Sequence, residues 1–232
     1  TKFDTWDIRW PALADDGRIV FTKAADIYIF DPVSDQVQKV DIDLGSELNL
    51  TRKRYVDANT SVSEIAIAPE GDRLAVVVRG EIFSVPTEEG VTLPISGGTP
   101  ERERSVVYGP KGEKVLYLTE AGVEEEVHAK DAWGRGEAQV VQKAHEGVWH
   151  YQPVYSPDGQ KVAYSDNSYE LFVMNADGSG RHGADKGTEG EIRHYEWSPD
   201  GRWLAYSKTL PNEFGSIYVY DTQEKRVHEV TG

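Results

Sequence analysis

The sequence predicts an all-β propeller of five four-stranded blades, each made from its own consecutive strands, with no strand exchanged between the termini. Three observations carry this. A turn glycine recurs at positions 17, 71, 112, 159 and 201, at intervals of 54, 41, 47 and 42 residues. Short runs rich in β-branched and aromatic residues follow each turn, as strands prefer. Helical periodicity of any length is missing. Four short strands per repeat of roughly 40–50 residues is the pattern of propeller blades.

The turns come first. Their clearest copies are Tyr155-Ser156-Pro157-Asp158-Gly159 and Trp197-Ser198-Pro199-Asp200-Gly201. Degenerate copies are Ala68-Pro69-Glu70-Gly71 and Gly109-Pro110-Lys111-Gly112, with a weaker one at Ala14-Asp15-Asp16-Gly17. Proline presets φ, aspartate bonds back to the local backbone, and glycine accepts positive φ. The innermost strand leads into each turn, starting near Trp6–Pro11 in blade one. A second strand follows, clearest at Val162–Ser165 and Leu204–Ser207. Third strands are expected at Ile27–Phe30, Ile82–Val85, Val127–Ala129, Leu171–Met174 and Ile217–Tyr220. Fourth strands fall at Val37–Val40, Val91–Ile95, Ala138–Val141 and Val227–Val230, with a poorly marked one near Arg181-His182. The blades then span about 1–42, 62–96, 102–143, 147–186 and 190–232, with a polar insert at 43–61. They form a single ring or a fragment of a larger one. Any closure must come from packing between the first and last blades.

Composition narrows the function classes. The 25 Lys and Arg residues against 40 Asp and Glu give a net charge of −15, which disfavours nucleic acid and anionic membranes as partners. There is no cysteine, so disulfides, thiolate metal sites and a cysteine nucleophile are excluded. The longest aliphatic run, Leu74–Val78, is far short of the ~20 residues of a membrane helix. The chain opens at Thr1 with no basic-then-apolar export signal, and reads as a mature product or an excised piece. A cytoplasmic location is expected, with a periplasmic or secreted one as the alternative.

Catalytic and cofactor motifs are sparse. No Gly-x-Ser-x-Gly elbow is present, and Asp177-Gly178-Ser179-Gly180 reads as a tight turn after the third strand of blade four. No catalytic residue, metal site or cofactor is assigned. His128 occupies a strand position that is aromatic in the other blades. His145 and His150, five residues apart, are a weak metal pair. Asn175-Ala176-Asp177-Gly178-Ser179 begins like a calcium loop, yet position 186 is Lys instead of the required Glu. Glu124-Glu125-Glu126 reads as a solvated hairpin tip.

One constellation stands out. Eight residues before each turn glycine lie Arg9, Ser63, Arg104, Tyr151 and Arg193. These positions begin the innermost strands, which border a propeller's channel. Three guanidinium groups there would attract carboxylates, including a peptide's C-terminus. The plainer alternative pairs each arginine with an acidic residue on a neighbouring blade.

The longer strings carry a resemblance. Gly147–Gly159, Gly190–Gly201, Val78–Pro86 with Glu89-Gly90, and Arg102-Glu103-Arg104-Ser105 resemble blades of the tricorn family of serine peptidases. The Ser-Pro-Asp-Gly turn is also similar to TolB-type and prolyl-oligopeptidase-type propellers. The likeness covers blades two to five and weakens in blade one. It implies a noncatalytic propeller module that admits or positions peptides. In that family two propellers precede a PDZ-like module and the catalytic domains, and the larger propeller has seven blades. No counterpart of the PDZ-like or catalytic parts is present here. A TolB-like scaffold of the cell envelope that binds protein partners, and an engineered propeller without a ligand, are the alternatives. Partners are expected to be peptides or a protein, and self-association through uncovered blade faces is a further expectation.

Overall fold

A computed structural model describes residues 3, 5–42, 56–97, 100–120 and 124–231. Most of the expected insert, residues 43–55, therefore lies outside the described residues. The described residues are all-β and contain no helix, in five antiparallel four-stranded sheets. The chain divides into two compact units, Thr1–Tyr55 and Val56–Gly232.

The first unit is blade one: β1 (Ile8–Leu13), β2 (Ile19–Lys23), β3 (Asp26–Asp31) and β4 (Gln36–Lys39), paired in chain order. Its inner strand starts later than expected because Trp6 adopts a positive φ of 64° ahead of it. Trp10, at φ 50°, produces a bulge between Arg9 and Ala12. Phe21 is buried and stacks on Tyr28 at 5.7 Å, with Phe3 edge-on to Tyr28 at 5.5 Å.

The second unit holds the other four blades. Blade two is β5 (Val62–Ile67), β6 (Arg73–Val78), β7 (Glu81–Pro86) and β8 (Leu93–Pro94). Blade three is β9 (Glu103–Tyr108), β10 (Lys114–Thr119), β11 (Glu126–Asp131) and β12 (Gln139–Gln142). Blade four is β13 (Val154–Tyr155), β14 (Lys161–Ser165), β15 (Glu170–Asn175) and β16 (His182–Lys186). Blade five is β17 (Tyr195–Trp197), β18 (Trp203–Thr209), β19 (Gly215–Asp221) and β20 (Arg226–Glu229). Every sheet uses four consecutive strands, so none borrows a strand from the other end of the chain.

Strand alternation makes each blade two-faced. On β10, Val115 and Tyr117 join the blade-two core with Ala75, Val77 and Ile82, while Leu116 and Leu118 join the blade-four core with Val162, Tyr164 and Phe172. A third layer, with Leu204, Tyr206 and Tyr220, joins blades four and five. Each fully buried Leu contributes about 1.5–3 kcal/mol, so these seams hold the second unit together.

The five turn glycines have φ between 69° and 85°. Each donates its N–H to the carbonyl three residues back at 2.8–2.9 Å. Asp158 and Asp200 accept the backbone N–H of Gln160 and Arg202, and both carboxyls are held below the usual range, first by the turn serines. Successive turns also touch. A methyl built on Gly112 would lie 3.5 Å from Pro69, one on Gly159 3.2 Å from Pro110, and one on Gly201 3.8 Å from Pro157.

Backbone approach is closest further out. Gly134 and Gly178 lie in the turns between the third and fourth strands of blades three and four. A methyl there would sit 2.0 Å from the Pro94 carbonyl oxygen and 2.1 Å from that of Val141, each on the preceding blade. The corresponding residue of blade five is Glu224. The register is set by Ala132, Ala176 and Thr222, which donate to the carbonyls of Glu113, Gln160 and Arg202.

Candidate functional site

The inner strands carry backbone groups that the ladder leaves unpaired, ahead of the strand or in its bulge, and these need partners. In the second unit those partners are carboxylates reaching across the blade junctions. Glu64 of β5 accepts the N–H of Ser105 on β9 at 2.5 Å. Ser105 has φ 54° and sits in a bulge that re-aims the strand.

At the next junction, Arg104 on β9 donates Nε and Nη2 to one oxygen of Glu125, at 2.8 and 2.5 Å. Its Nη2 also reaches the carbonyl of His150, at 2.8 Å, while the other Glu125 oxygen accepts the His150 N–H at 2.9 Å. One ion pair thus clamps both backbone groups of a blade-four residue. Glu125 is 6% exposed, which corrects the reading of Glu124–Glu126 as a solvated tip: the Arg104 guanidinium and the His150 N–H draw the middle carboxylate inward.

The junction of blades four and five repeats the device with different chemistry. The Tyr151 hydroxyl donates to Glu191, and the Arg193 guanidinium lies over the Tyr151 ring at 4.6 Å. Arg193 Nη2 is 2.6 Å from Glu191 Oε2. Burial, then Glu191, pushes the Tyr151 phenol up; Tyr151, then Arg193, holds the Glu191 carboxyl down.

Of the five residues singled out by spacing, Arg104, Tyr151 and Arg193 fall in this belt. Ser63 is at the bulge of β5, its hydroxyl 3.4 Å from the Val77 carbonyl. Arg9 belongs to the first unit, where it is exposed and lies 3.4 Å from Asp7. Each of the three arginines is paired with a carboxylate, and the carboxylate comes from its own blade or the segment leading into it. Glu64 and Glu191 were not singled out from the sequence, and Glu125 was read only as part of a solvated tip. Their place one position from the bulge, at a hairpin tip and two residues before Arg193 was the available signal.

The remaining candidates are structural. His128 Nε2 is 2.7 Å from Glu126 Oε2, and its ring meets Tyr117 edge-on. His145 pairs with Gln142 at 3.1 Å, and His150 is buried against Tyr164. Burial pulls the His150 imidazole below its ordinary value, and its Nδ1 has no hydrogen-bond partner among the described residues. Asp177-Gly178-Ser179 closes as a tight turn, with Asp177 accepting from the Ser179 backbone at 2.9 Å.

Repeated Ser-Pro-Asp-Gly turns and self-contained four-stranded blades define a β-propeller. The chain belongs to the family described as the tricorn protease second beta propeller domain, whose model matches residues 62–232. A tricorn protease homolog of Saccharolobus solfataricus is 28% identical over 196 residues, covering 84% of this chain and 17% of that protein. The chain thus spans about a sixth of that relative's length. The crystal structure of the tricorn protease aligns over 100% of this chain and 22% of its own, at a TM-score of 0.66 and 22% identity. A putative TolB from Agrobacterium tumefaciens aligns over 97% of this chain and 80% of its own, at a TM-score of 0.58 and 16% identity. The family model's match begins where the second unit's first strand begins, so blade one lies outside that model.

Proposed function

We propose that this chain is the noncatalytic propeller module of a tricorn-type protease, admitting or positioning peptides along its inner strands. The observation that carries this is the belt from Glu64 to Arg193, which places carboxylates, guanidiniums and a phenol at successive inner-strand starts. Paired charges of both signs suit transient hydrogen bonding to peptide backbones and termini of either charge. Arg193, whose side chain is 57% exposed, is the member best able to exchange its partner for a peptide carboxylate.

The test is anisotropy of labelled peptides of differing terminal charge. Weak binding that falls as salt rises, and falls further in Arg193→Gln combined with Tyr151→Phe, is expected. Binding indifferent to salt and to the double variant would remove the belt from the reading. The purified chain is also expected to leave peptides uncleaved; turnover lost on mutating one of its own serines would overturn the noncatalytic assignment.

A further inference from the structure

At the turn end of the inner strands, opposite the belt, a groove of about 270 Å³ opens between blades three and four. Its walls include Pro110, Lys114, Ala129, Gln139, Tyr155 and Ala176. The two flanking junctions show what fills this place elsewhere. Between blades two and three, Arg73 stands two residues after the turn glycine, as Lys114 does in blade three. Its Nε donates to Ser84 Oγ at 2.6 Å, and its Nη2 to the carbonyls of Ser84 and Val91 at 2.7 and 3.0 Å. The Trp133 ring, from the turn between β11 and β12 of the next blade, covers that guanidinium at 4.7 Å. Between blades four and five the residue ahead of the turn is Trp197, whose indole donates to the Val154 carbonyl at 3.3 Å.

At the middle junction each of these fillers is smaller or turned away. Lys114, in place of Arg73, is exposed. Ala129, 5% exposed, stands on the third strand where the flanking blades have Ser84 and Val173; each of the three pairs with the residue two beyond the basic one. Asp177 takes the place of Trp133, and its carboxylate turns back to accept the Ser179 N–H at 2.9 Å. Tyr155 takes the place of Trp197, with its ring against Gly109, where a methyl would lie 3.5 Å from it. Burial pushes the Tyr155 phenol up to about 12, so this wall is uncharged. The groove is the space an indole takes at either flank, left open by these exchanges.

We propose that this groove receives an aromatic side chain of a partner polypeptide, tryptophan foremost. The ring lies on Ala129 between Tyr155 and Ala176, with the Lys114 ammonium over its face as the Arg73 guanidinium lies over Trp133. Stacking on Tyr155 and the cation–π contact favour an aromatic ring over an aliphatic side chain. The rim sets Lys111 and Lys114 against Glu113, Asp158 and Asp177, and both aspartates are held by their own turns. A neutral ring therefore suits the groove better than an ion of either sign. Size points the same way: clefts for drug-sized ligands run to about 300–1,000 Å³, and this one suits a single side chain. The site is independent of peptide binding at the belt.

The experiment is an amide NMR titration of the whole chain with a capped alanine pentapeptide carrying a central tryptophan, and with its central-leucine counterpart. Saturable shifts at Ala129, Gln139 and Ala176 are expected, with Tyr151 and Arg193 unmoved. Binding of the leucine peptide should be about fivefold weaker, as loss of one cation–π contact implies. Asp177→Trp, on an exposed turn, rebuilds the Trp133 contact from within; it should abolish the shifts and raise the melting temperature. Ala129→Leu fills the floor and should abolish them independently, and Lys114→Gln should remove the preference over leucine. No saturable shift, equal binding of the leucine peptide, or binding unchanged in both filled variants would overturn the assignment. Self-association of the chain that Asp177→Trp abolishes would give the groove to a second copy and overturn it as well.

Discussion

Gly178→Ala tests how blades dock. Two costs act at this position. Its φ of +89° places a side chain in the left-handed region, at about 1–2 kcal/mol for a non-glycine residue. The new methyl would also lie 2.1 Å from the Val141 carbonyl oxygen. That oxygen belongs to a strand backbone and cannot rotate away, so blade three's outer strand must retreat, at about 1–3 kcal/mol for overpacking. The sum is about 2–5 kcal/mol, or a fall in melting temperature of about 4–20 °C for a unit of this size. Gly71→Ala is the control: φ is +73°, yet a methyl there meets nothing within 4 Å. It should cost only the backbone part, about 1–2 kcal/mol. Urea midpoints of the two variants, with amide exchange at β12, separate the terms. Exchange at Val140 and Val141 should accelerate in Gly178→Ala alone. Equal destabilisation with unchanged exchange would refute the docking argument.

Three further outcomes follow from the polar seams. Arg104→Gln strands the Glu125 carboxylate, and breaking so enclosed a pair should cost about 3 kcal/mol by chemical denaturation; Glu125→Gln, which can still accept from His150, should cost less. Burial lowers the His150 imidazole from 6.5, so the unfolded chain binds more protons as pH falls below that value. Its contribution to stability is therefore full above 6.5 and declines on acidification, and His150→Phe should flatten that part of the stability–pH curve. Asp221 is held at about 2, first by Arg202, and is covered by that guanidinium and its own turn more than by depth in the fold. Its stabilising effect should be complete above pH 4 and lost between 4 and 2, a step that Asp221→Asn should remove from acid titrations followed by tyrosine fluorescence.

The blades were legible because their determinants are local. Turn glycines, flanking prolines and alternating runs such as Leu171–Met174 act over a few residues. Edges were less so: β16 begins at His182, where the sequence marked a strand only weakly, since Gly183 and Asp185 interrupt any apolar alternation. The site was half legible. Spacing from the turn located Arg104, Tyr151 and Arg193, because the segment leading into each turn keeps its length even where, as in β13 and β17, only two or three of its residues pair as a strand. Their partners were hidden by separation. Glu64 and Ser105 are 41 residues apart, and Arg104 and His150 are 46 apart, so only docking of whole blades brings them together.

The contacts between successive turns and those between outer strands place opposite demands on how such a chain can be rearranged. At the inner turns every junction in the second unit uses the same proline-on-glycine contact, so any blade could follow any other. At the outer strands it could not. Blades three and four accept a predecessor's backbone at Gly134 and Gly178, while blade five carries Glu224 there. Recombining these repeats would therefore succeed at the hub and fail at the rim whenever blade five replaced one of the other two. Shuffled genes with Glu224 mutated to glycine should tolerate that exchange, making a single outer codon the record of each blade's place in the order.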